Sequence, residues 1–387
     1  MPVRVVALGP SHRERRRFLR AGMDVYRGDP RFVPEMESDL LRRTDPSRNP
    51  FFRHAEVDHL VAERDGRDVG RIAAVRNRLS EEFRGDRAGW FGWFECERDG
   101  ATAAALLDAA RERLRGRGCD ALIGPASYST NDACGLLVEG FDGPPALMMP
   151  YNPPWYEGLL LGAGLRPAED LLAWWTSADG MPEFDRHVRV AERARARYGW
   201  SIRGLDMARF GEEQARMREV YNRAWEANWG FVPMTEEEFA FAAEDFRRIV
   251  VPEFVLLAER EGRAVGFALT LPDYNQVLRH LGGSLLPFGW AKALWHARRI
   301  DSVRTLTLGV VPEERHRGIE AGLFLETTRR IGTRGFRAGE CSWTLRRNIA
   351  IHRMMESLGA RPYRCYRLYQ GAVGRTDSEA GRTGVSI

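Results

Sequence analysis

The stretch Arg315-His316-Arg317-Gly318-Ile319-Glu320 lies between the apolar run TLTLGVV and a helical pattern. Glycine at a helix start lets an anion approach backbone N–H groups that have no intrahelical acceptor. Guanidinium groups beside them add charge-assisted hydrogen bonds of roughly 1.5–3 kcal/mol each, more than the about 0.3–1 kcal/mol of the helix dipole. The spacing predicts a phosphate cradle formed by Arg315, His316, Arg317, Gly318 and Ile319. Glu320 falls about 200° round the helix from Gly318, so its side chain is expected to turn away while its amide faces the anion.

Two further groups carry chemistry. In ECSWTLRRN (340–348), alternation puts Glu340 and Ser342 on one strand face, with Glu340 as the candidate base. Asn348 starts the next helix, as an N-cap that can also hold a ligand. In STNDACGLLVEG (129–140), Asn131, Asp132 and Glu139 are polar groups inside a sticky loop, and MMPYNPPWY adds Tyr151 and Asn152. Such loops make substrate contacts, although an Asx turn accounts equally well for Asn131-Asp132.

The elements that must position these groups come in duplicate. AERDGRDVG (62–70) returns as AEREGRAVG (258–266), FVP (32–34) as FVP (231–233), and GLRP (164–167) as GARP (359–362). Same-order matches at nearly constant spacing predict two copies of one fold, 1–177 and 201–371, joined by a linker and helix at 178–200. Each copy reads as a strand, helices, a hairpin, a fourth strand, a helix, a fifth strand, a helix and a closing strand. That is an α/β (α+β) architecture, with a mixed, mostly antiparallel twisted sheet flanked by helices. Residues 372–387 are polar and glycine-rich and are expected to be disordered.

Composition narrows the partners. With 58 basic and 54 acidic residues the charge is nearly balanced, and no basic cluster alternates with exposed aromatics, so nucleic acid is not expected. Five scattered cysteines without a CxxC pair fit a reduced, cytoplasmic chain and no metal site. No run of about 18 apolar residues is present, so no spanning helix is expected. The segment 277–300 mixes apolar residues with Arg279, Lys292, Arg298 and Arg299, as a lid or a peripheral contact with the inner membrane face would.

With its strand, Arg315-x-x-Gly318 loop and helix, then a strand leading to Asn348 and Gly359-Ala360, the second copy resembles the GCN5-related N-acetyltransferase (GNAT) superfamily. ECSWTLRRN, STNDACGLLVEGF and MMPYNPPWY together resemble a bacterial tandem-GNAT subgroup that includes ceramide synthase-like acyltransferases. The resemblance implies that acyl-CoA or acetyl-CoA lies between splayed fourth and fifth strands, against main-chain groups of Leu308, Gly309, Val310 and Val311. It implies direct transfer to an amine, with Glu340, Ser342 and Asn348 at the chemistry. Many relatives carry a tyrosine acid where this chain has Met355. The first copy's loop, ERDGAT (97–102), lacks the R-x-x-G spacing, so one working site is expected, with the first copy as cleft wall. Three readings stay open: long-chain transfer to a lipid amine, acetylation of a small amine, and acyl-CoA binding without catalysis.

Overall fold

The computed structural model describes residues 2–177, 180 and 184–374. Most of the tail expected to be disordered (375–387) and much of the joint (178–179 and 181–183) lie outside the described residues.

The first half opens with β1 (Arg4–Leu8), α1 (His12–Arg20), α2 (Glu37–Arg43), β2 (Ala55–Arg64), β3 (Arg67–Asn77), α3 (Arg78–Arg84) and β4 (Ala88–Cys96). It closes with α4 (Gly100–Gly116), β5 (Ala121–Gly124), β6 (Leu136–Glu139), α5 (Tyr156–Gly162) and β7 (Arg166–Ser177). A connecting helix, α6 (Phe184–Tyr198), leads to β8 (Trp200–Gly204), α7 (Phe210–Trp225), α8 (Glu236–Phe246), β9 (Val255–Arg260) and β10 (Arg263–Pro272). After α9 (Asn275–Leu278) and α10 (Gly289–Ala297) come β11 (Ser302–Val310), α11 (Ile319–Thr333), β12 (Ala338–Leu345), α12 (Ile349–Ser357) and β13 (Arg361–Ala372).

Local chemistry explains the hairpins. Asp65-Gly66 and Glu261-Gly262 all have positive φ (52°, 75°, 53° and 75°), the turn whose twist matches the flanking strands. Helix α4 buries Leu106, Leu107 and Leu114 on β2 and β3, each burial worth about 1.5–3 kcal/mol. In the second half α11 covers one sheet face with Ile319 and Leu323, while α7 covers the other with Met217, Val220 and Ala224.

All strands join one sheet in the order β1-β2-β3-β4-β5-β13-β7-β12-β11-β10-β9-β8, with β6 on β13. Among the described residues only β4–β5 and β11–β12 are parallel, so the sheet is mixed and mostly antiparallel, as expected. The closing strands are exchanged between the halves. β13, at the end of the second half, pairs with β5 and β7, and β7, at the end of the first, pairs with β12.

Both parallel pairs part after a short contact. β11 and β12 pair only over Ser302–Thr305 and Ala338–Cys341; β4 and β5 pair only over Ala88–Trp90 and Ala121–Ile123. Each parting strand carries a bulge of its own: Leu306 is the extra residue of β11 opposite Leu269 and Thr270 of β10, and in β4 Trp93 and Phe94 together stand opposite Ile72 of β3. Such bulges add local twist and bend a strand away from its partner.

The strand exchange predicts that residues 1–177 and 184–387, produced separately, will each lack a cooperative thermal transition. Co-expressed, they should elute as a 1:1 complex from a sizing column. A half that melts cooperatively alone would contradict the exchange.

Candidate active site

Where β11 and β12 part, a cavity of about 740 Å³ opens. Thr305–Leu308 line it on one strand and Cys341–Leu345 on the other, with Asn348, Ile351, Met354 and Met355 at its α12 side. Tyr221 and Trp225 of α7, with Phe239 and Phe246 of α8, form an apolar arm against Phe267 and Leu269 of β10. The first half supplies the remaining wall through Arg43, Trp93, Asn131–Cys134 and Leu147–Tyr151.

At the far end of β11, α11 begins at Gly318 (φ 78°) with no side-chain cap. Among the described residues the amides of Ile319 and Ala321 find no hydrogen-bond acceptor in the protein. Arg317 is half-buried and pairs with Glu314 at 2.9 Å. Arg315 corrects its expected role: its Nε donates to the Val310 carbonyl (3.2 Å) and its Nη2 to the Ala224 carbonyl (2.6 Å). It braces the loop, because two backbone carbonyls left over at a strand end and a helix end need donors. Glu320 also departs from expectation. It is half-buried, and burial pushes its carboxyl up against the pull of its own amide, Arg315 and His316. Ala194 of the connecting helix stands against Gly318, and Trp200 Nε1 donates to the Arg317 carbonyl (3.0 Å).

The first half shows the same two places filled. At the start of α4, Asp99 accepts from the amides of Ala101 and Thr102 (3.4 and 3.0 Å) and from the Thr102 hydroxyl (2.6 Å), and pairs with Arg64 (3.0 Å). An anion already sits on that helix end. In the gap beside β4, Ala126 donates its N–H to the Phe91 carbonyl (2.8 Å). A side chain on Gly92 would run into the Ala126 carbonyl, so the backbone is as close as glycine permits.

The candidate base does not reach the cavity. Glu340 is fully buried, opposite Arg304 in the parallel register, and accepts from Arg304 Nε at 3.0 Å. Burial pushes its carboxyl up to about 7 against the pull of Arg304, and its Oε1 has no partner among the described residues. Arg304, which reasoning from sequence missed, also donates to Ser342 Oγ (3.0 Å) and to the Leu147 carbonyl. It lines the cavity, as does Ser342. Periodicity correctly put Glu340 and Ser342 on one face, but it is blind to an arginine across a strand pair. Asn348 caps α12 by accepting from the Ile351 amide (3.4 Å) and borders the cavity.

The substrate candidates separate. Asn152 is buried on Leu137, with its Oδ1 accepting from the Leu137 amide (2.7 Å), and Glu139 is exposed on β6; neither lines the cavity. Tyr151 does, with its hydroxyl donated to Asp29 (2.5 Å). Asn131 is tied to the second half by its Nδ2 on the Val232 carbonyl (3.0 Å) and by the Tyr221 hydroxyl on its Oδ1 (2.8 Å). Asp132 lines the cavity. Burial pushes its carboxyl up to about 7 against the pull of Arg43, and Glu238 and Glu35 add to the rise.

No family model matches the chain. It is 35% identical over 365 residues to Protein YghO of Escherichia coli K12, covering 92% of each chain. It is 34% identical over 374 residues to the Bacterial ceramide synthase of Caulobacter vibrioides, covering 93% of this chain and 95% of that one. Among solved structures, a tandem GNAT protein from the clavulanic acid biosynthesis pathway superposes with a TM-score of 0.58 at 15% identity, over 97% of this chain and 100% of that one. A GCN5-related N-acetyltransferase from Sphaerobacter thermophilus gives 0.50 at 15% identity, over 99% and 98%. The structural likeness carries the fold, and the sequence identity runs nearly the full length of both relatives. This chain therefore has the tandem-GNAT fold and belongs to the family that includes YghO and the Caulobacter ceramide synthase.

Proposed function

We propose that the chain is an N-acyltransferase that moves an acyl group from acyl-CoA to an amine by direct attack on the thioester, using one cofactor site in the second half. The observation that carries this reading is the contrast between the halves. One gap and one helix end are filled by the chain's own Ala126 and Asp99; of their counterparts, the gap beside β11 is cavity and α11 starts at Gly318 with no side-chain cap. In this reading the α11 amides with His316, Arg317, Gly318 and Ile319 take the diphosphate. Main-chain groups from Leu308 to Val311 follow the pantetheine arm, and Ser342 and Asn348 border the reacting end. An N–H on the open edge of β11 would stabilise the developing oxyanion. The first half serves as the acceptor wall.

The acceptor in this reading is a long-chain lipid amine. Support comes from the apolar arm between α7, α8 and β10, and from the relative named a ceramide synthase. The segment from Tyr274 to Ile300 contains no acidic residue. It exposes Leu286 (80%), Phe288 (72%) and Leu294 (63%), with Trp290 and Trp295, while its base at Tyr274, Asn275 and Leu278 lines the cavity. Apolar side chains with Lys292, Arg298 and Arg299 beside them match an anionic bilayer surface at the cytoplasmic face. Among the described residues no helix is long and apolar enough to cross a membrane.

Four outcomes are expected. Thiol release should be faster with palmitoyl-CoA and sphinganine than with acetyl-CoA and a short amine; equal rates would remove the lipid acceptor. Arg317→Ala should weaken CoA binding about tenfold by calorimetry, matching a lost charge-assisted hydrogen bond. Asp99→Ala should leave that affinity unchanged while costing about 1 kcal/mol of stability. Leu286→Asp with Phe288→Asp should abolish co-sedimentation with phosphatidylglycerol vesicles, and unaltered sedimentation would dismiss the membrane contact.

A further inference from the structure

At neutral pH an amine acceptor arrives as an ammonium ion, so acyl transfer needs a group that removes a proton. Most carboxylates near the cavity are already committed. Glu35 pairs with Arg43 (2.8 Å), and Asp245 with Arg42. Glu238 holds His54 (3.1 Å) and the Thr235 amide (2.9 Å). Glu95 accepts from Tyr26 and Tyr156 (2.7 and 2.9 Å), and Asp39 from Ser38 (3.3 Å). Glu340 stands behind the wall on Arg304. Among the described residues Asp132 has no ion-pair partner: Arg43, the cation whose field reaches it, is bound to Glu35.

The loop that carries Asp132 is also the best-anchored part of the first half's wall. Thr130 donates its hydroxyl to the Gly230 carbonyl (2.8 Å), Asn131 donates to Val232, and Tyr221 donates to Asn131. All three bonds cross to the second half, so the loop is held in register with the cleft that contains Thr305–Leu308. A site group needs a fixed support of this kind.

Resting on the acyltransferase reading, we infer that Asp132, supplied by the first half, holds the acceptor's ammonium and takes its proton in the cleft of the second half. The carboxylate accepts one proton from R–NH3+, and the freed lone pair forms the new C–N bond at the thioester carbon. The C–S bond breaks with its electron pair on sulfur. The remaining excess proton on the new amide nitrogen goes to the thiolate to give CoA-SH, and Asp132 returns its proton to solvent.

The groups facing Asp132 are Arg43 of α2, Glu35 before it, Glu238 of α8, Tyr221 of α7, and Tyr128, Ser129 and Cys134 of its own loop. Burial among them raises the carboxyl from its usual 3.8 to about 7. The folded protein therefore keeps this proton in a window where the unfolded chain has lost it. Stability falls as pH rises from about 4 to about 7 and then levels.

The test uses the full chain with palmitoyl-CoA and sphinganine as probes. Wild-type kcat should climb with pH through about 7. Asp132→Asn should lower kcat at least about 100-fold and flatten that climb, with palmitoyl-CoA affinity unchanged by calorimetry. Its thermal midpoint should exceed the wild type's increasingly between pH 4 and 7. Wild-type kcat that does not respond to pH near 7 overturns the inference even if the variant folds poorly, and so does a variant with wild-type kcat. A wild type that binds palmitoyl-CoA yet acylates no amine overturns the acyltransferase reading itself.

Discussion

Parallel strands that start paired and then separate leave backbone amides and carbonyls that must find other partners. In the first half the chain answers this demand itself, through Ala126 on Phe91. In the second half β11 and β12 part beyond Thr305 and Cys341, and the space between them is cavity. A ligand lying along that edge must bring its own hydrogen-bonding groups, and a pantetheine arm, with two amides in a flexible chain, is suited to it. The positions of Arg304, Ser342 and Asn348, and the crossing of the first half's loops onto this opening, all follow from where the two strands let go.

The two helix ends show duplicated geometry put to opposite uses. Asp99 gives α4 a cap of about 1 kcal/mol and thereby closes its end to any anion. Gly318 leaves α11 uncapped, which sacrifices that stabilisation and keeps donors available. Arg315 preserves the loop's shape through two backbone carbonyls, and Arg317 pairs with Glu314 beside it. A similar division appears at the centre of the cleft. Glu340 is held by Arg304 behind the cavity wall, while Asp132 lines the opening with no ion-pair partner among the described residues.

Much of this layout was legible in the chain. The hairpin turns at Asp65-Gly66 and Glu261-Gly262, the paired motifs and the glycine after an arginine-rich turn each have a local cause. What stayed hidden depends on non-local pairing. β7 and β13 are both strands that pair along both edges, and nothing in their own residues says which half will take them. The fate of Glu340 was set by Arg304 across a parallel register, which strand alternation does not report. Asn131 and Asp132 were marked as one polar pair, and both line the cavity, but only Asn131's side chain is tethered to the second half. Tyr221 and Trp225, one turn apart on α7, look like ordinary core until α7 is seen to roof a cavity.

The exchanged closing strands also bear on how this chain is made. β5 and β7 emerge from the ribosome long before β13, the strand that must lie between them. At about 5–20 residues per second, the nascent first half waits on the order of ten seconds or more with two bare sheet edges. Open edges of that kind invite pairing with other chains. Holding such a half-built sheet apart from its neighbours is work for a chaperone, and translation speed over the second half becomes a determinant of yield.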